Sequence, residues 1–245
     1  MFVDVHCHLE MFSDLNKLIS ESVSQDTRKL ISSSVDLNSM KKNIKITKFP
    51  EIECCLGLHP SNILLMNQKE IDLSIEFLKE NLSFAKAIGE IGIDFKHAEN
   101  DAQKEKQIKV YKKQLFIAEE NSLPVVVHSR FAEKKSLEIL SEFNGKVLLH
   151  WFDGNKQTFS IGLEKNYFFS VGPAVIYNKD YLKKALEIPL ENLMLETDSP
   201  VEFNGIKAKP FWVKKVAEKF SEEKNIPLKQ IEETTTKNAK EFFSL

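Results

Sequence analysis

Two histidines two residues apart, His6 and His8 in "VDVHCHLE", close a short apolar run that begins almost at the first residue, and Asp4 lies two positions further back. Residues two apart on a strand face the same side. His6 and His8 can therefore bind one ion together, with Asp4 on that face one layer deeper and Cys7 pointing away towards the helices. The pattern recurs along the chain. Glu90 in "AIGEIG", His128 in "VVVHSR", His150 in "VLLHWF" and Asp198 in "LMLETDSP" each follow an apolar run. Burying an ionisable group is costly unless it is paired or bound to a metal. One buried histidine is more often a hydrogen-bonded core residue than a ligand, but a set of four imidazoles and two carboxylates, each at a strand end, points to metal. Mixed imidazole and carboxylate donors suit Zn²⁺ or Mn²⁺, with Mg²⁺ less natural for nitrogen. These donors are too many for one catalytic ion with an open position. They fit two divalent ions sharing a carboxylate, and Glu90 is the natural bridge.

The elements that must position these residues are strand-like runs at 2–6, 29–35, 52–59, 85–94, 123–129, 146–152, 167–172 and 193–200. Several are apolar with little alternation, as expected of strands covered on both faces. Polar, Lys/Glu-rich stretches with helical spacing separate them. The clearest covers 101–121, where Ile108, Tyr111, Leu115 and Ala118 recur at steps of three and four. Eight βα units in a chain of this length predict an α/β fold, a TIM (β/α)8 barrel, whose C-terminal strand ends converge on one mouth. No linker or repeat divides the chain, so residues 1–245 are expected to form a single domain. The end, "IEETTTKNAKEFF", predicts a closing helix that docks Phe242 and Phe243.

The chain has 245 residues, 42% of them apolar and 29% charged, with a net charge of −2 and an isoelectric point near 6.3. That balance argues against a basic protein that coats nucleic acid. It leaves open an enzyme whose metal ions supply the positive charge for phosphate. Cys7, Cys54 and Cys55 give no disulfide framework. No segment reaches the roughly 18 apolar residues that cross a membrane, and no basic region precedes a long apolar stretch as in a signal peptide. The expectation is a cytoplasmic protein with no membrane association and no obligate protein partner.

Taken together, "VDVHCHLE", "GLHP", "AIGEIGIDF", "QLFIAEENSLPVVVHSR", "HWFDG", "YFFSVGP", "LMLETDSP" and "TTKNAKEFF" resemble, nearly end to end, the TatD-type metal-dependent deoxyribonucleases of the amidohydrolase superfamily. The resemblance implies that His6, His8 and Asp198 bind a first metal, that Glu90 bridges the two, and that His128 and His150 complete the second. It also implies that Asp198 orients the attacking water and takes a proton from it, and that the substrate is DNA, cut from a 3′ end. Metal ions lower the pKa of a bound water and neutralise phosphodiester charge. Arg130 is a candidate phosphate clamp, because guanidinium matches phosphate bidentately. His59 is a candidate for the pocket rim or a substrate contact, and Asp94 for orienting a histidine ligand. His97, in a polar loop, is expected to be solvated. After "ETDSP" the chain departs from the family. It reads "VEFNGIKAKPFWV", which lacks the family's arginines, and Lys207 and Lys209 are the only basic residues nearby. The same metal site could instead serve the hydrolysis of a small amide, lactone or phosphoester.

Overall fold

The computed structural model describes residues 1–245. Eight strands run parallel in one sheet, in the order of the sequence. They are β1 Phe2–Cys7, β2 Thr27–Ser33, β3 Ile52–Leu56, β4 Ala85–Asp94, β5 Val125–Arg130, β6 Val147–Leu149, β7 Phe168–Val171 and β8 Leu193–Leu195. Helices separate them, which is the topology of the (β/α)8 barrel expected from the sequence. Several strands stop earlier than their apolar runs. β3 ends at Leu56, β6 at Leu149 and β8 at Leu195. The backbone leaves the extended region soon afterwards, with φ of 40° at Trp151 and 51° at Asp198. His6 one residue before the end of β1, His8 directly after that strand and His150 directly after β6 lie at strand ends as expected, and His128 is two residues short of the end of β5. The placement is corrected for Glu90, which lies inside β4 four residues before its end, and for Asp198, which lies on a turn three residues beyond β8.

The chain contacts divide into two compact units, each drawn from separate stretches of sequence. One comprises Met1–Ser32, Thr47–Glu53 and Phe168–Leu245. Here β1 pairs in parallel with β2, and β7 with β8. Beyond β8 the chain also pairs with β1: Asp198 N donates to His6 O at 2.9 Å and His8 N to Ser199 O at 2.8 Å. The closing helix is observed as Leu228–Phe243 and does bury Phe242 and Phe243, whose rings meet edge to face at 4.7 Å. Asn238 Nδ2 on this helix donates to Leu190 O and Leu193 O, both at 2.8 Å, which ties it to the start of β8. A short hairpin follows the Asp198 turn, with β9 Glu202–Phe203 and β10 Ile206–Lys207 antiparallel. Asn204 and Gly205 both have positive φ, as a two-residue hairpin turn requires. Phe203 stacks on Tyr177 with ring centroids 5.4 Å apart.

The other unit comprises Ser33–Ile46 and Cys54–Tyr167. β4 and β5 pair with Gly92 opposite His128 and Asp94 opposite Arg130, and β5 pairs with β6. The helix expected over 101–121 is observed as Asp101–Glu120. Tyr111, Leu115 and Ala118 are buried as its periodicity implies. Two buried glutamines on the same helix act on the strand ends. Gln107 accepts from Asp94 N and donates to Asp94 O, both at 3.0 Å. Gln114 accepts from Leu58 N at 2.7 Å and donates to Leu58 O at 3.2 Å. Each carboxamide thus satisfies a main-chain donor and acceptor that the sheet leaves open, as buried backbone groups require. No helix is long and apolar enough to cross a membrane.

Gly92 sets how closely β4 approaches the strand that carries His128. Its φ is 140°, and a Cβ there would lie 1.9 Å from His128 O, a backbone atom that cannot move aside alone. Gly92→Ala is expected to cost about 3 kcal/mol. In thermal denaturation that should appear as a fall in Tm on the order of 10 °C for a chain of this size.

Candidate metal centre

Each unit gathers its own group of nitrogen and oxygen donors. In the first, His6 and His8 come from β1 and the residue after it, and Asp198 from the turn after β8. His6 Nε2 stands 3.6 Å and His8 Nε2 3.2 Å from Asp198 Oδ1. Two ligand atoms bound tetrahedrally to one zinc-sized ion stand about 3.4 Å apart, since each bond is about 2.1 Å. The donors therefore have the chemistry and the spacing of a metal site, and all three fall within 4.8 Å of one another. The backbone bonds between β1 and the chain beyond β8 bring Asp198 there. The buried Asp4 carboxylate secures that seam. Its Oδ1 accepts from Thr197 N at 3.0 Å and from His6 N at 3.3 Å, and its Oδ2 accepts from Thr197 Oγ1 at 2.5 Å. Asp4 thus acts on the main chain that carries the ligands and not on an imidazole ring. Burial pushes its carboxyl well above the usual range, against the pull of these hydrogen bonds. Cys7, between the two histidines, turns its Sγ to Ile31 O at 3.4 Å.

Two carboxylates here were not singled out by the sequence. Glu10 Oε1 lies 3.9 Å from His8 Nδ1 and its Oε2 accepts from Ser32 Oγ at 3.4 Å. The buried Glu196 accepts from Ser170 Oγ at 2.5 Å. Both stand two residues from a metal-type residue in the quoted motifs, and that spacing is the signal that could have found them.

In the second unit, one oxygen organises the group. Glu90 Oε1 lies 2.9 Å from His128 Nδ1, 3.5 Å from His150 Nε2 and 3.4 Å from His59 Nε2. The three histidines are not equivalent, because the partner of each ring's other nitrogen sets its tautomer. His128 Nε2 donates to Asp94 Oδ2 at 3.2 Å, which leaves Nδ1 as the donor towards a metal. His59 is the reverse case. It caps the helix Pro60–Leu65, and its Nδ1 accepts from Ser61 N at 3.1 Å. That bond places the ring proton of the neutral form on Nε2, which faces Glu90 Oε1, and His59, Glu90 and His128 also bring three donor atoms within 4.8 Å of one another. His97 is half-exposed, but it is not merely solvated, because its Nδ1 donates to Asp94 Oδ2 at 2.8 Å. Asp94 therefore serves two imidazoles. Burial works to raise its carboxyl, and the hydrogen bonds from His128 and His97 overcome this and hold it far below the usual range. For His128, burial disfavours the charged ring, yet the hydrogen bonds to Asp94 and Glu90 prevail and raise its pKa.

Arg130, the last residue of β5, is exposed, and its guanidinium meets no carboxylate of the chain. Of the two lysines after the Asp198 turn, Lys209 is committed to Glu21 Oε2 at 2.9 Å and lies over the Phe211 ring. Lys207 is exposed on β10.

A (β/α)8 topology bearing clusters of imidazole and carboxylate donors is an arrangement that metal-dependent hydrolases use. A family model described as TatD-related DNase matches residues 3–244. The human deoxyribonuclease TATDN3 is 30% identical, over 98% of this chain and 94% of its own length. The Bacillus subtilis metal-dependent hydrolase YabD is 28% identical over the whole of both chains. The crystal structure of the Escherichia coli TatD homologue YjjV superposes with a TM-score of 0.90 at 23% identity, over 100% of this chain and 98% of that one. The chain belongs to the TatD family and is a metal-dependent hydrolase acting on ester bonds.

Asp94 and Cys7 give opposite expectations. Asp94→Asn should weaken Zn²⁺ binding between 10- and 100-fold in isothermal titration, the usual effect of removing the acceptor behind a histidine ligand. Cys7→Ser should leave the metal content by elemental analysis unchanged, and loss of metal would mean that the facing of β1 is the other way round.

Proposed function

We propose that this protein is a two-metal phosphodiesterase that cleaves DNA, as a 3′ exonuclease. The observation that carries the reading is the pair of donor groups, one built on Asp198 Oδ1 and the other on Glu90 Oε1, in a chain of a family named for its DNases. Each group takes one divalent ion, Zn²⁺, Mn²⁺ or Mg²⁺: His6, His8 and Asp198 the first, His128 and His150 with Glu90 the second. The reading of Glu90 as the bridging ligand rests on the family resemblance. When bound, the ions lower the pKa of water towards neutrality and neutralise phosphate charge.

The chain's own residues do the rest. Asp198 accepts a proton from the attacking water at its Oδ2 as the water oxygen adds to phosphorus and the bond to the leaving sugar oxygen breaks. The proton then passes to that leaving oxygen. His59 Nε2 donates to Glu90 Oε1 and holds it in one orientation. Asp94 keeps the His128 proton on Nε2. Arg130 grips the non-bridging phosphate oxygens with its planar fork. Only two arginines occur in the chain, so Arg130 and Arg28 are the only side chains that could hold phosphate with a planar fork.

The test is labelled single-stranded DNA with purified protein and Mg²⁺, Mn²⁺ or Zn²⁺, with and without chelator. Cleavage that chelator abolishes is expected, with loss of label proceeding from the 3′ end. No cleavage with any of these ions, alongside turnover of a small ester or amide from a parallel panel, would replace the nuclease by a small-molecule hydrolase. Asp198→Asn should lower kcat by about 10³-fold, since it removes a general base.

A further inference from the structure

Phe131 is a residue that the fold does not explain. It follows Arg130 at the end of β5, its side chain is 71% exposed, and its φ is 55°. A bulky residue in the left-handed region is a genuine outlier, and this one recovers nothing by burial. Its local position offers no structural role either. It precedes the N-cap Ala132 of the helix Glu133–Leu140, where an apolar side chain commonly packs on the fourth helical residue. That residue is Ser136, whose buried hydroxyl instead lies 3.4 Å from Tyr111 Oη. The turn is held by its polar groups, with Phe131 N donating to Glu133 Oε1 at 3.2 Å. Strain of this kind persists where the surroundings impose it, and it concentrates at ligand sites.

The neighbours of Phe131 indicate the ligand. Arg130 is two residues beyond His128 on the same strand, so it shares that face, with its Cα about 6.6 Å further along. In chain order, a guanidinium without a carboxylate partner therefore falls between a metal-type histidine and an exposed phenylalanine, at the point where the backbone turns out of the strand. Phosphate suits the guanidinium, and the flat face of a nucleobase suits the ring. The two alternate along a single strand as the residues alternate here. We propose that Phe131 is a base-stacking platform that holds a nucleobase of the single-stranded substrate next to the phosphate gripped by Arg130. This rests on the nuclease reading and adds the residue that makes it recognise bases.

The test uses the full chain with Mn²⁺ on two strands of equal length, an ordinary oligonucleotide and one built with tetrahydrofuran abasic residues. Phe131→Leu keeps the apolar volume but not the aromatic face. It should lower kcat/KM on the ordinary strand about tenfold, within the range for one stacked base, chiefly through KM. Its effect on the abasic strand should stay below twofold. Phe131→Tyr should restore the ordinary-strand value to within about twofold, because every aromatic ring offers a stacking face. Phe131→Asn should raise Tm by about 2 °C, as Asn tolerates this backbone, while losing activity as Leu does. Equal losses on both strands, or none on either, would overturn the assignment. If the wild-type protein cleaves neither strand with any metal, the nuclease reading falls by itself. Fluorescence anisotropy of the intact labelled oligonucleotide then decides the remaining question: weaker binding by Phe131→Leu keeps the platform, and equal or absent binding removes it.

Discussion

A buried carboxylate joins the first strand to the segment that follows the last strand of the barrel. Asp4, in the first strand, accepts from the main-chain N–H and the hydroxyl of Thr197, 193 positions away in sequence. A carboxylate with no exposure is tolerated only when its oxygens are satisfied, and Asp4 meets that condition with groups from β1 and from the chain beyond β8. The consequence is geometric. Asp198 follows Thr197, leaves the extended region with φ of 51°, and arrives beside His6 and His8. The donor group of the first unit thus depends on contacts made to its main chain and not to its donor atoms.

The second unit reaches the same end by different means. Two glutamines seven residues apart on one helix each grasp both main-chain groups of a strand-end residue, Leu58 or Asp94. Those residues adjoin His59 and support His128. Around Glu90 Oε1 three imidazoles then take different roles, decided by what holds the far side of each ring. A backbone N–H on His59 Nδ1 leaves the ring proton of the neutral form on Nε2. A carboxylate on His128 Nε2 frees Nδ1 for an ion. Residue type alone does not separate a ligand from the group that orients one, and the local environment does.

Charge follows the same economy. A chain with 34 basic and 36 acidic residues has no net positive charge to offer a polyanion, and only two of the basic residues are arginines that could present a planar fork. Lys209, which a reading of the motif might count towards substrate, is occupied by Glu21. On the strand that carries His128, Arg130 remains without a carboxylate partner. The chemistry of such a site depends on the ions that its donors can hold, and the fold by itself does not choose the substrate.

Much of this was legible in the sequence. Apolar runs in regular alternation with helical stretches announced eight βα units, and the helices over 101–121 and at the C-terminus came out nearly as read. His6, His8, Glu90, His128, His150 and Asp198 stood out because an ionisable residue closing or interrupting an apolar run has to be satisfied somehow. The spacing of His6 and His8 determined that they share a face, since strand geometry has a period of two. Other features depended on the tertiary structure. The strand ends moved, because a backbone turn is set by local φ and by which neighbour supplies the next hydrogen bond, and neither is written in hydropathy. Gln107 and Gln114 passed unnoticed, because a polar residue in a charged stretch looks solvated until packing buries it, and Glu10 and Glu196 stood in the motifs beside histidine and aspartate that drew the reading first. The partners of His59, His97 and Asp4 were visible only once the fold brought them close. Sequence determined which side chains could do chemistry, because type and periodicity are local properties. Tertiary structure decided which partner each of them meets, because that depends on groups distant in the chain coming to hydrogen-bond range.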